Sequence, residues 1–261
     1  MLRVEDAERV RLVTLERPEA RNALDTEHYE ALADALDEAA GRPDLAVVVI
    51  TGTDGAFCAG QDLGEMARLG DPATPAEART GHGFRRFVGV LESFPKPLVA
   101  AVNGVAVGLG VTMLPYCDLV LVADGARLRT PFASLGVVPE AGASFTLPTA
   151  MGPQAAASAL LTGAWLDAAA ARASGLAWRV CAPDRLLDEA LDVARAMARL
   201  PLVSLVETKR LLRTGWVEAA RAARTREEAV FARLTGAPAN REAIAAFLER
   251  REPDFADLPP E

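Results

Sequence analysis

The chain is poor in the residues that build metal sites and disulfide frames. It carries two histidines and three cysteines, and Cys58, Cys117 and Cys181 stand far apart with no CxxC pair. An odd, dispersed set of thiols argues against a disulfide scaffold or a zinc ribbon and points to a reducing compartment. His82 has no second His or Cys at ligand spacing, so it reads as a polar loop residue and not a metal ligand. Aromatic residues make up only 5% of the chain, which leaves Ala, Leu and Val to fill the core. No Lys/Arg cluster offsets a net charge of −8, which argues against nucleic acid or an anionic membrane as partner. The opening MLRVEDAERVRLVTLERP is charged, with no signal-peptide core, and every apolar run is cut by Gly, Pro, Asp or Arg before reaching membrane-spanning length. A cytoplasmic protein is expected.

What the chain does have, over 261 residues of which 51% are hydrophobic, is enough apolar surface for a large core. Val10 to Leu15 alternates and predicts a half-exposed strand. Asp25 is the expected N-cap of a helix to about Ala39, whose Tyr29, Leu32, Leu36 and Ala39 share one face. The β-branched run Leu45 to Thr51 predicts a buried parallel strand. The glycine-rich GTDGAFCAGQDLGEM then leads into a helix from about Asp62, where Asp62 is either a cap or an acid and Glu65 either solvated or a second acid. Gly70 to Thr80 reads as a mobile loop, and His82 to Glu92 as a helix with Phe84, Phe87, Val88 and Leu91 on one face.

Pro97 to Ala143 holds the densest chemistry. The strand Leu98 to Val102 runs into Asn103-Gly104 and then Gly108-Leu109-Gly110, after which an apolar stretch of helical length begins at Val111. Strand, glycine turn and helix start together present free N–H groups to a negative charge. The third glycine of a dinucleotide fingerprint is missing. Downstream, Pro139-Glu140-Ala141-Gly142 sets one carboxylate among Val137, Val138 and Ala141, an apolar setting that raises the pKa of an acid. An anion-binding turn and one nearby acid suffice to remove a proton next to a carbonyl. Asp118 to Ala123, Ala126 to Thr130 and Leu176 to Cys181 predict further strands. Helices follow from Gly152, from Pro183 to about Leu200, and beyond Pro201, with Asn240 as a cap.

FCAGQDL, VGLGVT and TPFASLGVVPEAGAS resemble the crotonase (enoyl-CoA hydratase/isomerase) superfamily, and within it the peroxisomal-type Δ3,Δ2-enoyl-CoA isomerases. The resemblance implies an α/β fold, a spiral of ββα repeats over residues 1–200, and a helical region over 201–261 that assembles a homotrimer or homohexamer and completes the CoA site. It implies an acyl-CoA thioester substrate, with coenzyme A entering as part of that substrate and no separate cofactor. Gln61 and Leu109 would supply the backbone N–H groups of an oxyanion hole, and Glu140 the base. Arg17, Arg21, Ala23, Ala59, Gly60, Asp62, Leu63 and Gly108 would line the CoA path, with Arg250 of the AFLERR run reaching a neighbour's CoA; for the three arginines a solvated surface position is the competing reading. Hydratases of the superfamily carry two carboxylates where this chain has Thr112 and Phe132. Isomerisation needs one acid, which favours that chemistry. A dehalogenase relative would need helper His and Trp residues, of which only His82 lies in the right region. A weak hydratase and a non-catalytic acyl-CoA-binding protein are the other readings.

Overall fold

The computed structural model describes residues 2–70, 82–256 and 258. The chain opens with an antiparallel pair, β1 (Leu2–Ala7) and β2 (Val10–Leu15), before α1 (Thr26–Gly41). A repeating unit follows, in which a longer strand enters one sheet, a three-residue strand enters a second, and helix returns the chain. Its first turn is β3 (Val47–Gly52), β4 (Ala56–Cys58), α2 (Leu63–Gly70) and α3 (His82–Ser93). The next is β5 (Leu98–Val102), β6 (Val105–Val107) and α4 (Leu109–Thr112), and the third β7 (Leu119–Ala123), β8 (Arg127–Arg129) and α5 (Ala143–Met151). Then come α6 (Pro153–Ala157), β9 (Leu166–Asp167), α7 (Ala168–Ser174), β10 (Arg179–Cys181) and α8 (Leu186–Ala198). Beyond them lie α9 (Leu202–Arg213), α10 (Trp216–Leu234) and α11 (Pro238–Glu249).

The larger sheet runs β1-β2-β3-β5-β7-β10 and the smaller β4-β6-β8-β9. Within the repeats β3, β5 and β7 are parallel neighbours in one sheet, and β4, β6 and β8 in the other. All five residues of β5 are fully buried. That continuous apolar run is what a parallel strand covered on both faces requires. α1 behaves as its pattern predicts, with Asp25 accepting from the His28 N–H at 3.1 Å. Burying its Tyr29, Leu32 and Leu36 side chains stabilises by about 1.5–3 kcal/mol each.

Three expectations change, and a fourth lies outside the described residues. β2 is buried, not half-exposed, because β1 covers its free edge and Arg11 is neutralised by Asp6 and Glu38 at 2.8 and 3.1 Å. The helix expected from Val111 is only the four-residue α4, since Pro115 turns the chain into a 3-10 segment, Leu114–Tyr116. Asn240 is not a cap but lies inside α11, joining the Gly236 N–H to the Leu135 carbonyl at 2.9 and 2.8 Å. The loop expected at Gly70 to Thr80 falls, past Gly70, on residues outside those described. All three cysteines are buried thiols, and among the described residues no helix is long and apolar enough to cross a membrane.

Candidate active site

β4 and β6 are parallel, so both chains leave their strands at the same end of the small sheet. The two segments that follow, Ala59-Gly60-Gln61 and Gly108-Leu109-Gly110, are pressed together backbone to backbone. A Cβ on Gly60 would lie 2.6 Å from the Val107 carbonyl oxygen, and one on Gly110 only 2.3 Å from that of Cys58. Gly60 also has φ +82 and Gly108 φ +54, a region that other L-residues adopt at a cost. Gln61 is fixed on its other side: Leu24 donates to the Gly60 carbonyl at 2.7 Å and accepts from the Asp62 N–H at 2.8 Å. These bonds leave the Gln61 N–H without an acceptor among the described residues, and the Leu109 N–H, first in α4, likewise.

The Gln61 side chain is occupied, accepting from the Tyr29 hydroxyl at 2.9 Å and donating to Glu65 at 2.7 Å. Glu65 is buried and also accepts from the Thr26 hydroxyl and N–H. It therefore braces this loop and is neither solvated nor a free second acid. Leu109 is 2% exposed and lies in the main core, so its bulk is taken up by packing while its amide stays available.

Glu140 enters from the third repeat. Its Oε1 accepts from the Thr112 hydroxyl at 2.7 Å, and Thr112 is the last residue of the helix whose first amide is Leu109. Burial pushes the Glu140 carboxyl up to about 8; the Thr112 bond pulls it down, and the negative charge of Glu227 adds to the rise. Its residue surface is only partly closed to solvent. Tyr29 and Cys58 feel the charge of Glu140, and both are themselves pushed up mainly by burial. Phe132 and Val137 join Met66 and Ile244 in a second apolar cluster, flanked by Leu63, Ala67 and Leu135. A cavity of about 220 Å³, lined by residues such as Thr146, Arg213 and Trp216, shares no residue with this site. The site is located by its free amides and its acid, not by cavity size.

The expected CoA-path residues divide. Ala59 donates to the Arg21 carbonyl at 3.1 Å, and the Ala23 carbonyl accepts from Arg17 at 3.1 Å, so the backbones at 17–23 and 59–62 lie side by side. Asp62 is the cap of α2, accepting from the Glu65 N–H at 3.0 Å and pairing with Arg17 at 3.0 Å. Arg17 is thus held internally, also near Asp25 at 3.5 Å, whereas the exposed Arg21 guanidinium has no partner among the described residues. Arg250 is the exposed residue ending α11, with φ +57. His82 is 81% exposed in its side chain and faces Glu30 at 3.3 Å. Glu227 escaped sequence reading altogether, being 85 residues from the turn it binds.

The two-sheet spiral with its C-terminal helices is the crotonase fold, and the chain is an acyl-CoA-processing enzyme of that superfamily. The sequence profile described as enoyl-CoA hydratase/isomerase matches residues 5–258, and the chain belongs to that family. It is 38% identical over 248 residues, 95% of both chains, to 2,3-dehydroadipyl-CoA hydratase of Escherichia coli K12. It is 34% identical over 251 residues, 94% of each, to 1,2-epoxyphenylacetyl-CoA isomerase of the same strain. A crystal structure of an enoyl-CoA hydratase/isomerase from Pseudoalteromonas atlantica T6c superposes with a TM-score of 0.90 at 38% identity, covering 98% of this chain and 99% of that one.

Proposed function

We propose that this protein is a Δ3,Δ2-enoyl-CoA isomerase of the kind the peroxisomal-type enzymes exemplify, with Glu140 as the proton shuttle. The reading rests on one observation: the side chain bonded to Glu140 is a hydroxyl, Thr112, and Phe132 is packed into an apolar cluster, so neither position offers the second acid that hydration would use. Ionised Glu140 takes a proton from the α-carbon of a 3-enoyl thioester. The C–H electron pair moves through the carbonyl to leave a dienolate with its charge on the thioester oxygen. The N–H groups of Gln61 and Leu109 meet that charge, each at a typical contribution of about 3 kcal/mol to the barrier. The same carboxyl returns the proton to the γ-carbon, and the double bond ends in conjugation with no net change in oxidation state.

Residues 21–23 and 59–63, with Gly108, form the CoA path in this reading, Arg17 braces it, and Arg250 serves a neighbouring subunit. Exposed Val203, Leu211 and Leu212 on α9, at 69%, 66% and 76%, support a homotrimer or homohexamer built through residues 201–261 around a core of residues 1–200. A second reading, hydration of a 2-enoyl-CoA, is favoured by the hydratase names of several relatives, such as the dehydroadipyl-CoA enzyme.

Purified protein given a 3-enoyl-CoA is expected to generate the absorbance of the conjugated 2-enoyl thioester. Glu140→Gln is expected to lower turnover by about 10²–10⁴ while CoA-ester affinity stays within a few-fold. Turnover retained in that variant overturns the role of Glu140. Water addition without isomerisation selects the hydratase, and binding with no turnover on any enoyl-CoA selects an acyl-CoA-binding protein.

A further inference from the structure

The turn that carries Glu140 is anchored from a distant part of the chain. Glu227 lies on α10 and is 6% exposed. One of its carboxylate oxygens accepts from the Gly142 N–H at 2.6 Å and the other from the Ser144 N–H at 2.7 Å. These amides open α5, where an anion is favoured, and Gly142 is two residues beyond Glu140. Between them Ala141 has φ +57, a left-handed conformation that costs a non-glycine residue about 1–2 kcal/mol. Such a conformation persists only where its surroundings over-determine it. Three contacts do so: the two Glu227 bonds, and the Tyr116 hydroxyl donating to the Ala141 carbonyl at 2.7 Å. The backbone of α10 is itself tight against the turn, since a Cβ on Gly142 would lie 2.8 Å from the Ala220 carbonyl oxygen.

We propose that Glu227 is a positioning residue for the Glu140 turn, so that α10 sets both where the base points and how much negative charge surrounds it. This rests on the reading of Glu140 as the base. Four titratable groups are coupled to Glu140 from the elements around it: Glu227 on α10, Tyr116 in the turn after α4, Tyr29 on α1 and Cys58 on β4. Arg226 is coupled to Glu227 from its own helix, while Glu92 and Arg224 are coupled to Tyr116. Glu227 is the one carboxylate among them bonded to the turn itself. Removing its charge and one of its two acceptors should release the turn and lower the proton affinity of Glu140 together.

The test compares the full-length protein with Glu227→Gln, and with Glu218→Gln as an exposed control on the same helix. In Glu227→Gln, kcat on a 3-enoyl-CoA is expected to fall about 10–100-fold, with KM within about threefold. The acidic limb of its pH–rate profile is expected to move toward lower pH by about half a unit to one unit. The Glu140 carboxyl, followed by carbon-13 NMR and assigned through Glu140→Gln, should titrate at correspondingly lower pH in Glu227→Gln, and unchanged in Glu218→Gln. An unmoved Glu140 titration overturns the proposal, because a merely structural Glu227 would lower stability and active fraction without moving it. The NMR titration does not depend on turnover. A wild-type protein inactive on every enoyl-CoA would thus refute the proposed function while Glu227 is still judged.

Discussion

Thr112 donates its hydroxyl to Glu140 Oε1 at 2.7 Å across 28 residues of chain, tying the acid to the helix whose first N–H is that of Leu109. The bond and the burial of Glu140 oppose one another. Burial favours the neutral acid and wins, leaving the carboxyl at about 8, while the hydroxyl favours the carboxylate. In the proposed reading the pair tunes a base, in that the acid would be ionised in only about a tenth of free molecules at pH 7.

Activity should therefore rise with pH. As a base must be ionised, kcat/KM is expected to climb through a midpoint near 8. Thr112→Val removes the donor that favours the carboxylate, so the midpoint should move up by about one unit and kcat/KM at pH 7 fall roughly tenfold. Thr112→Ser, which keeps the hydroxyl, should stay near wild type. A Thr112→Val profile that superposes on wild type would show that the bond has no part in setting the base.

Stability carries the same signature with the opposite slope. The folded chain holds the Glu140 proton to about 8, against 4.5 for the unfolded chain. Its contribution is fully present below about 4.5 and is lost as pH rises through 8. Glu140→Gln cannot ionise and lacks that loss. Its melting temperature, measured from pH 5 to 9, is expected to gain on wild type by on the order of 5 °C at the alkaline end. Parallel curves would contradict the raised pKa.

Contact between the two glycine loops predicts a division among glycines. Gly60→Ala and Gly110→Ala place a Cβ against a carbonyl oxygen at 2.6 and 2.3 Å, forcing apart the segments that present Gln61 and Leu109. A loss of about 10²–10³ in kcat/KM is expected, the size of one lost oxyanion donor. Gly125 has φ +89, but a Cβ there would meet nothing within 4 Å. Gly125→Ala should therefore cost about 1–2 kcal/mol of stability, read by denaturant unfolding, and leave kcat/KM unchanged.

How much of this was legible in sequence follows the range of the interactions. The FCAGQDL and VGLGVT segments mark their turns through glycine and Glu140 is set off by its apolar neighbours, whereas the Gln61 and Leu109 amides are singled out by the superfamily resemblance that those segments carry. The three-residue β4 and β6 carry no period long enough to detect, although their parallel pairing is what aligns the two loops. An apolar run past Val111 reads as a long helix because apolarity alone does not register the turn that Pro115 imposes. The Glu227 bonds to Gly142 and Ser144 join residues 85 and 83 apart, and no local pattern encodes such a contact. Asp62 follows the ordinary preference of an acid at a helix start, which local chemistry does encode.

Two arginines flank the same turn and should behave differently toward a CoA ester. Arg17 has its guanidinium in the pairs with Asp62 at 3.0 Å and Asp25 at 3.5 Å, so engaging a phosphate would mean breaking contacts that hold the loops together. Arg21 is exposed and unpaired among the described residues, and its carbonyl receives the Ala59 N–H, which fixes its backbone beside the Gln61 loop. A free cation on an anchored backbone suits the CoA phosphates, with modest energy because it stays in water. Arg21→Ala is therefore expected to raise KM for an acyl-CoA about three- to tenfold with kcat unchanged, and to have no effect on the matching acyl-pantetheine, which lacks those phosphates. Arg17→Ala should instead lower the melting temperature and depress turnover on both substrates alike, since what it loses is the brace between Asp62 and Ala23. Equal sensitivity of the two thioesters to Arg21→Ala would remove Arg21 from the CoA path and leave it a solvated side chain.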